Sequence, residues 1–299
     1  MSVLSHGRRS KSALIKQRST VCLIGGEMDV RKEAVVTDNL VMCELDGRGV
    51  ARITLNRPDV HNAWKPDLVV ALRAAVEAMA RREEVRVIVL AGAGRSFSAG
   101  GDLRWMRGVL DLSAEQRRHD ALQIGELLLA IDSCPKPVVA RIQGAAIGGG
   151  FGLVCCADVA IASTRASFGL SEVRLGIVPA MISPFVVHRL GEALARARFM
   201  AGHDPLSAQA ALAVGLVHCV VEPDELDAAI AAEVDVILRA APGAIAETKR
   251  LFRSRRAASM ADALAVAADA LVARWETAEA REGLQAFLDK RRAAWVATK

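Results

Sequence analysis

The stretch from Cys134 to Glu172, CPKPVVARIQGAAIGGGFGLVCCADVAIASTRASFGLSE, constrains the fold more than any other part of the chain. Pro135 and Pro137 flank Lys136 and hold the entry extended. Val138 to Ile142 is short, apolar and β-branched, the composition of a buried strand. Gly144 ends it. Gly148, Gly149 and Gly150 then precede an apolar run from Phe151 to Cys156, read as a buried helix. A further strand and a turn lead to Glu172, behind Phe168-Gly169-Leu170. Glycines at a helix start let the backbone approach a ligand closely, with N–H groups pointing outward. Such donors beside a partly buried carboxylate suit chemistry in which an oxyanion forms while a proton moves.

The segments before this stretch alternate strand and helix. Val41–Glu44 and Val50–Leu55 are apolar-rich runs separated by Asp46-Gly47-Arg48-Gly49, a hairpin signal. Pro66 to Met79 carries Leu68, Val69, Leu72, Val76 and Met79 at helical spacing, with Pro66 suited to the first turn. Val85–Ala91 is a buried strand and runs into a second Gly-rich turn at Gly100-Gly101. Three familiar motifs fail in these turns. A dinucleotide fingerprint from Gly92 needs glycine where Phe97 stands, a hydrolase elbow at Ser96 needs glycine at Ser98, and no lysine follows Gly149 as a P-loop demands. Ser113 with Gln116 predicts a capping box at the head of a helix to Ile131. Ser183 is the expected cap of a later helix with Pro184 in its first turn, and Leu216–Val221 an expected short strand. Residues 224–299 are Ala-rich and charged with a 3.6 period, read as three helices over 224–240, 243–256 and 259–295.

Composition narrows the function classes. Aromatic residues make up only 4% of the 299 positions, and much of the net charge of +5 sits on Arg8, Arg9, Lys11, Lys16 and Arg18, so no nucleic-acid partner is expected. The histidines are scattered and the six cysteines lack zinc spacing, so no metal is expected, and the cysteines read as reduced core residues. The most apolar run, Ala145–Ser163, contains four glycines and Asp158; no membrane partner and a cytoplasmic location are expected. Residues 1–33 read as a disordered N-terminal extension whose Ser- and Arg-rich start loosely resembles an organellar presequence.

Several ordered motifs together resemble the enoyl-CoA hydratase/isomerase (crotonase) family: Asn62-Ala63, Phe97-Ser98-Ala99-Gly100-Gly101-Asp102-Leu103, Lys136-Pro137, Gln143-Gly144 through Gly150, Phe168-Gly169-Leu170-Ser171-Glu172, Gly176 with Pro179, and Arg281 to Phe287. The resemblance implies an α/β fold: a crotonase-like spiral of ββα units over 34–223, then a C-terminal α-helical trimerisation region over 224–299. It implies a homotrimer or dimer of trimers and an acyl-CoA thioester substrate. No separate cofactor is implied, because coenzyme A enters as part of the substrate. It assigns the oxyanion-hole amides to Gly101 and Gly149. Ala63, Ala99, Gly100, Asp102 and Leu103 would line the coenzyme A path, and Phe287 and Lys290 would reach the adenine end from a neighbouring subunit.

One position departs from the family pattern. Typical hydratases carry two catalytic glutamates, and where the first would stand this chain has Gly152, leaving Glu172 alone. Three readings follow: hydration with Glu172 as sole acid/base, Δ3–Δ2 double-bond isomerisation, or an inactive relative that still binds CoA thioesters. The run from Phe168 to Phe185 looks most like the branch that hydrates methylglutaconyl-CoA or isohexenylglutaconyl-CoA, which favours hydration. On the residues alone, Asp102 reads as a turn and helix-cap residue, Asp158 as structural, His61 as a loop histidine, and Arg174 as half of an ion pair rather than a reader of a distal substrate carboxylate.

Overall fold

Alternating side chains settle the first hairpin. In the computed structural model, which describes residues 33–37, 40–254, 271–273 and 277–296, Val41, Cys43 and Leu45 point into the core while Met42 and Glu44 face out. The elements in chain order begin with β1 (Glu33–Thr37), β2 (Val41–Leu45), β3 (Val50–Leu55), α1 (Pro66–Arg81), β4 (Val87–Gly92), α2 (Leu103–Val109) and α3 (Ala114–Asp132). Then come β5 (Val138–Ile142), β6 (Ala146–Ile147), α4 (Gly149–Cys156), β7 (Val159–Ser163), β8 (Ser167–Gly169), α5 (Ser183–Leu190) and α6 (Glu192–Phe199). The chain continues through β9 (Leu206–Ser207), α7 (Ala208–Ala213), β10 (Cys219–Val221), α8 (Leu226–Leu238), α9 (Pro242–Ser254) and α10 (Ala278–Leu288). Except for Glu33, the N-terminal extension expected over 1–33 lies outside the described residues, as does most of the last predicted helix before Thr277.

Seven strands form one sheet in the order β1-β2-β3-β4-β5-β7-β10. The first three pair antiparallel, and every pairing from β3 onward is parallel. Helical crossovers join the parallel strands, as parallel pairing requires. β4 is buried along its whole length because both sheet faces are covered. Ile88 and Leu90 join the main core, which includes residues of α1, α3 and α4. Val87 and Val89 face the other way with Val139 and Ile161, and meet Leu226, Ile230 and Val234, one stripe of α8.

Local signals place most helix starts. Ser113 Oγ accepts from Gln116 N (3.2 Å) while Gln116 Oε1 accepts from Ser113 N (3.0 Å), the reciprocal box that the spacing predicts. Ser183 behaves differently. The cap position of α5 is Ile182, and Ser183 is already helical, its hydroxyl donating to Ala180 O (3.0 Å). The reason is a preceding turn: Ile182 N and Ser183 N both donate to Pro179 O, so the chain is coiled before Ser183 could cap it. The strand expected over 216–221 covers only Cys219–Val221, since Leu216 N is drawn back to Ala211 O. A second sheet, β6-β8-β9, has no counterpart in the sequence reading.

Helix α9 is fastened by charge to the start of β7 and to the end of α3. Lys249 Nζ reaches Asp158 Oδ2 (2.6 Å), which also accepts from Val138 N, and Arg253 Nε reaches Asp132 Oδ2 (2.9 Å). Asp158 is therefore a structural joint between β5 and α9.

Candidate active site

Two loops leave the carboxyl ends of adjacent parallel strands, β4 and β5, and run side by side. Ser98 N donates to Ala145 O and Ile147 N to Ser98 O, both at 2.9 Å, so Ser98 lies opposite Ala146 in parallel register. Two residues on, Gly100 faces Ile147 and Gly148: a Cβ on Gly100 would lie 3.2 Å from Ile147 O and 3.8 Å from Gly148 Cα. Closeness at the glycines is measurable: a Cβ on Gly148 would lie 3.4 Å from Gly100 Cα. Gly148 holds φ 54° and ψ −117°, a conformation favouring glycine, and its N–H donates to Gly169 O (2.9 Å).

Each loop presents an unused amide. Gly101 forms a parallel bridge with Trp64, in which Trp64 N donates to Gly100 O (2.7 Å) and Asp102 N to Trp64 O (2.8 Å). That geometry turns the N–H of Gly101 away from Trp64. Gly149 is the first residue of α4, where a helix leaves its amides without intrahelical partners. Among the described residues neither the Gly101 nor the Gly149 amide donates to a protein acceptor. A Cβ on Gly149 would lie 2.6 Å from the Trp64 ring, so this position has room only for hydrogen.

Glu172 completes the arrangement. It opens a 3-10 turn, Glu172–Leu175, just beyond the small sheet. Its Oε1 lies 3.0 Å from the point where a Cβ on Gly148 would sit. Its Oε2 is buried with no hydrogen-bond partner among the described residues. Burial pushes its carboxyl above the ordinary value of 4.5, against the pull of the Glu172 and Ser171 amides. A half-buried carboxyl of raised affinity for protons, set against Gly148 and so beside the start of α4 with its free Gly149 amide, can exchange a proton with a substrate whose oxyanion such donors hold.

The sequence of the chain decides its kinship. The family model described as enoyl-CoA hydratase/isomerase matches residues 46–298. A crotonyl-CoA hydratase from Syntrophomonas wolfei is 32% identical, over 83% of this chain and 94% of that protein. The chain belongs to the enoyl-CoA hydratase/isomerase family. Solved structures agree on the crotonase fold. An enoyl-CoA hydratase from Shewanella pealeana superposes with a TM-score of 0.82 at 37% identity, covering 86% of this chain and 96% of that one. AtuE of Pseudomonas aeruginosa superposes with a TM-score of 0.83 at 39% identity, covering 86% of this chain and all (100%) of that one.

Within this crotonase-fold chain the other candidate residues fall in two groups. Ala63, Ala99, Gly100, Asp102 and Leu103 lie on the same pair of segments as Gly101; Ala63 and Gly100 are buried, and Leu103 is exposed. Asp102 caps α2, its Oδ1 accepting from Arg104 N (2.9 Å) and Trp105 N (3.4 Å). Phe287 and Lys290 belong instead to α10 and the exposed turn after it. Arg174 pairs with Asp204 (3.0 Å) on the surface. His61 is a loop residue whose Nδ1 meets Ser96 Oγ (3.1 Å).

The position held by Gly152 has an apolar surround. It sits one helical turn past Gly148, its N–H donating to Gly148 O (3.0 Å). A Cβ there would meet Leu128 Cδ2 at 3.2 Å and Ile182 Cγ2 at 3.3 Å. No carboxylate stands at this position of α4.

Sequence reasoning passed over the polar hub beneath these loops. Asn62 is fully buried; its Oδ1 accepts from Arg57 N (2.8 Å), and its Nδ2 donates to Ala93 O and Ser96 O (both 2.9 Å) and to Phe97 O (3.2 Å). Gln143 Nε2 donates to Gly92 O (2.6 Å) and Ser96 O (3.0 Å), bracing the first loop from the β5 side. An Asn before a small residue in a turn is the one signal that could have marked the hub.

Proposed function

We propose that the chain adds water across the α,β double bond of an enoyl-CoA thioester, with Glu172 as the sole protein acid/base. The observation that carries this reading is the approach of the Glu172 carboxylate to Gly148, the residue just before the free Gly149 amide and close to Gly100. The thioester carbonyl oxygen sits between the N–H groups of Gly101 and Gly149. Water, giving its proton to the Glu172 carboxylate, adds through oxygen at Cβ. The π electrons move to the carbonyl oxygen, and the two amides stabilise the resulting enolate. Losing one such donor in a comparable site costs about 3–4 kcal/mol. The carboxylic acid then returns its proton to Cα, and the carbonyl re-forms. Water is added in full and Glu172 ends ionised, so one carboxyl suffices. Burial serves both halves, because it weakens the difference between carboxylate and acid at neutral pH. The crotonyl-CoA hydratase relative and the likeness to the glutaconyl-CoA-hydrating branch support hydration over other thioester chemistry.

The apolar surround of Gly152 favours a second reading, Δ3–Δ2 isomerisation. There one carboxylate moves a proton between Cα and Cγ and no water is needed. Oxygen- and hydrogen-labelled water with a panel of enoyl-CoA thioesters separates the two. Labelled oxygen at Cβ is the expected result. Solvent hydrogen in the acyl chain without hydroxyl would replace hydration with isomerisation. No label with any substrate, despite thioester binding, would leave only the binding role.

A further inference from the structure

The turn after β3 is bound to the first glycine loop through one side chain. Arg57 Nη1 donates to Ala63 O (2.5 Å) and Nη2 to Asp102 Oδ2 (2.9 Å). The side chains of Arg57 and Asp102 are only 16% and 12% exposed. These two anchor points stand on either side of the Trp64–Gly101 bridge. Ala63 immediately precedes Trp64, and Asp102 immediately follows Gly101, its N–H held by Trp64 O. The other oxygen of Asp102 is engaged in capping α2. The base of the clamp is itself held, since Arg57 N donates to Asn62 Oδ1 in the buried hub.

We infer that Arg57 is a positioning residue for the first oxyanion amide: by clamping Asp102 to the Ala63 carbonyl, its guanidinium fixes the direction of the Gly101 N–H. Electrostatic stabilisation of an enolate depends on donors already aimed before charge develops. The peptide plane that carries the Gly101 N–H is held at its Gly100 carbonyl by Trp64 N (2.7 Å), and since neither glycine offers a side chain to pack, the clamp on Ala63 and Asp102 keeps that bridge in place. A guanidinium suits the task because it reaches two acceptors at fixed angles, which an ammonium on a flexible stem does not. The same contact holds the Asp102 carboxyl below its ordinary range, so the clamp stays ionised wherever Glu172 can work as a base.

The inference rests on the oxyanion-hole reading above, and the test separates the two. Butyryl-CoA, a saturated thioester that cannot be hydrated, is bound to the whole protein, and isotope-edited infrared spectroscopy reads its carbonyl stretch. Wild type is expected to shift that band to lower frequency on binding. R57Q and D102N are expected to lose most of the shift. Their kcat on an enoyl-CoA should fall ~10- to 100-fold with KM nearly unchanged, the scale of a misaligned catalytic group. R57K, keeping charge but not the fork, should fall between. A wild-type protein with no shift would overturn the oxyanion-hole reading and the inference with it. A wild-type shift retained in folded R57Q and D102N would overturn the inference alone. If R57Q does not fold, D102N, which keeps the shape of Asp102, decides.

Discussion

Gly148 leaves Glu172 the space its carboxylate occupies: a methyl group on Gly148 would lie 3.0 Å from Glu172 Oε1 and 3.4 Å from Gly100 Cα. Gly148→Ala therefore strikes the site twice. The φ of 54° disfavours an L side chain, at about 1–2 kcal/mol, and the methyl pushes the acid and the facing loop apart. The expected outcome is a lowered Tm with a loss of activity far beyond it, on the order of 100-fold or more, since misplacement by about 1 Å has that effect. Thermal unfolding beside steady-state kinetics checks it. A variant that lost stability but kept its kcat would show that Gly148 serves the backbone alone.

Activity and stability should move in opposite directions in Glu172→Gln. The folded-state pKa of Glu172 is raised by burial, so the folded protein holds this proton more tightly than the unfolded chain. At pH below the ordinary value near 4.5 the group is neutral in both states and costs nothing. As pH climbs through the unfolded and then the folded pKa, keeping the carboxylate ionised in a half-buried site destabilises the fold, fully so above the folded pKa. The glutamine variant lacks that cost. Its Tm should exceed wild type at pH 7, with the gap closing toward pH 4, while turnover falls by about 100- to 10,000-fold. Melting curves over that pH range decide it, and a variant less stable than wild type at pH 7 contradicts the argument.

Local chemistry was legible in the sequence and long-range polar chemistry was not. The Ser113–Gln116 box needs only residues three apart, and the glycine triplet before an apolar run needs only its own neighbours. The expectation that Gly101 and Gly149 act together rested on family likeness, because no period or spacing within one segment encodes register between two loops. Arg57 gave no signal at all. Its carboxylate partner lies 45 positions away, and an arginine in a polar turn looks like any solvated charge. The β6-β8-β9 sheet was invisible for a different reason, since strands of two or three residues are too short to show alternation. Ser183 failed as a cap because Pro179 had begun the turn already, a competition that composition does not reveal.

The paired cysteines of α4 should be chemically silent in the folded protein. Cys155 and Cys156 are buried, and burial pushes the Cys155 thiol up to about 12, with Arg189 opposing. Cys134 is likewise raised by burial. The thiolate is the reactive species, so alkylation at pH 8 should spare all three until the chain unfolds. Peptide mapping after iodoacetamide treatment, with and without denaturant, reads this directly. Rapid native modification of Cys155 would mean that α4 opens to solvent.

Gly152 decides whether the missing carboxylate can be restored. A methyl there meets Leu128 Cδ2 at 3.2 Å and Ile182 Cγ2 at 3.3 Å, contacts that small side-chain shifts can relieve. Alanine also favours a helix over glycine by about 1 kcal/mol. Gly152→Ala should therefore fold with stability near wild type and keep its activity, since Glu172 and the two loop amides are untouched. Gly152→Glu is another matter. Its carboxylate would enter a fully buried helix flanked by Leu128 and Ile182, and an unpaired buried charge costs about 3–5 kcal/mol. It should fold poorly or bind a proton, and it should not raise kcat. Denaturant unfolding of both variants alongside hydration kinetics tests the pair. A stable Gly152→Glu protein with faster turnover would show that the Leu128–Ile182 wall yields to a second acid.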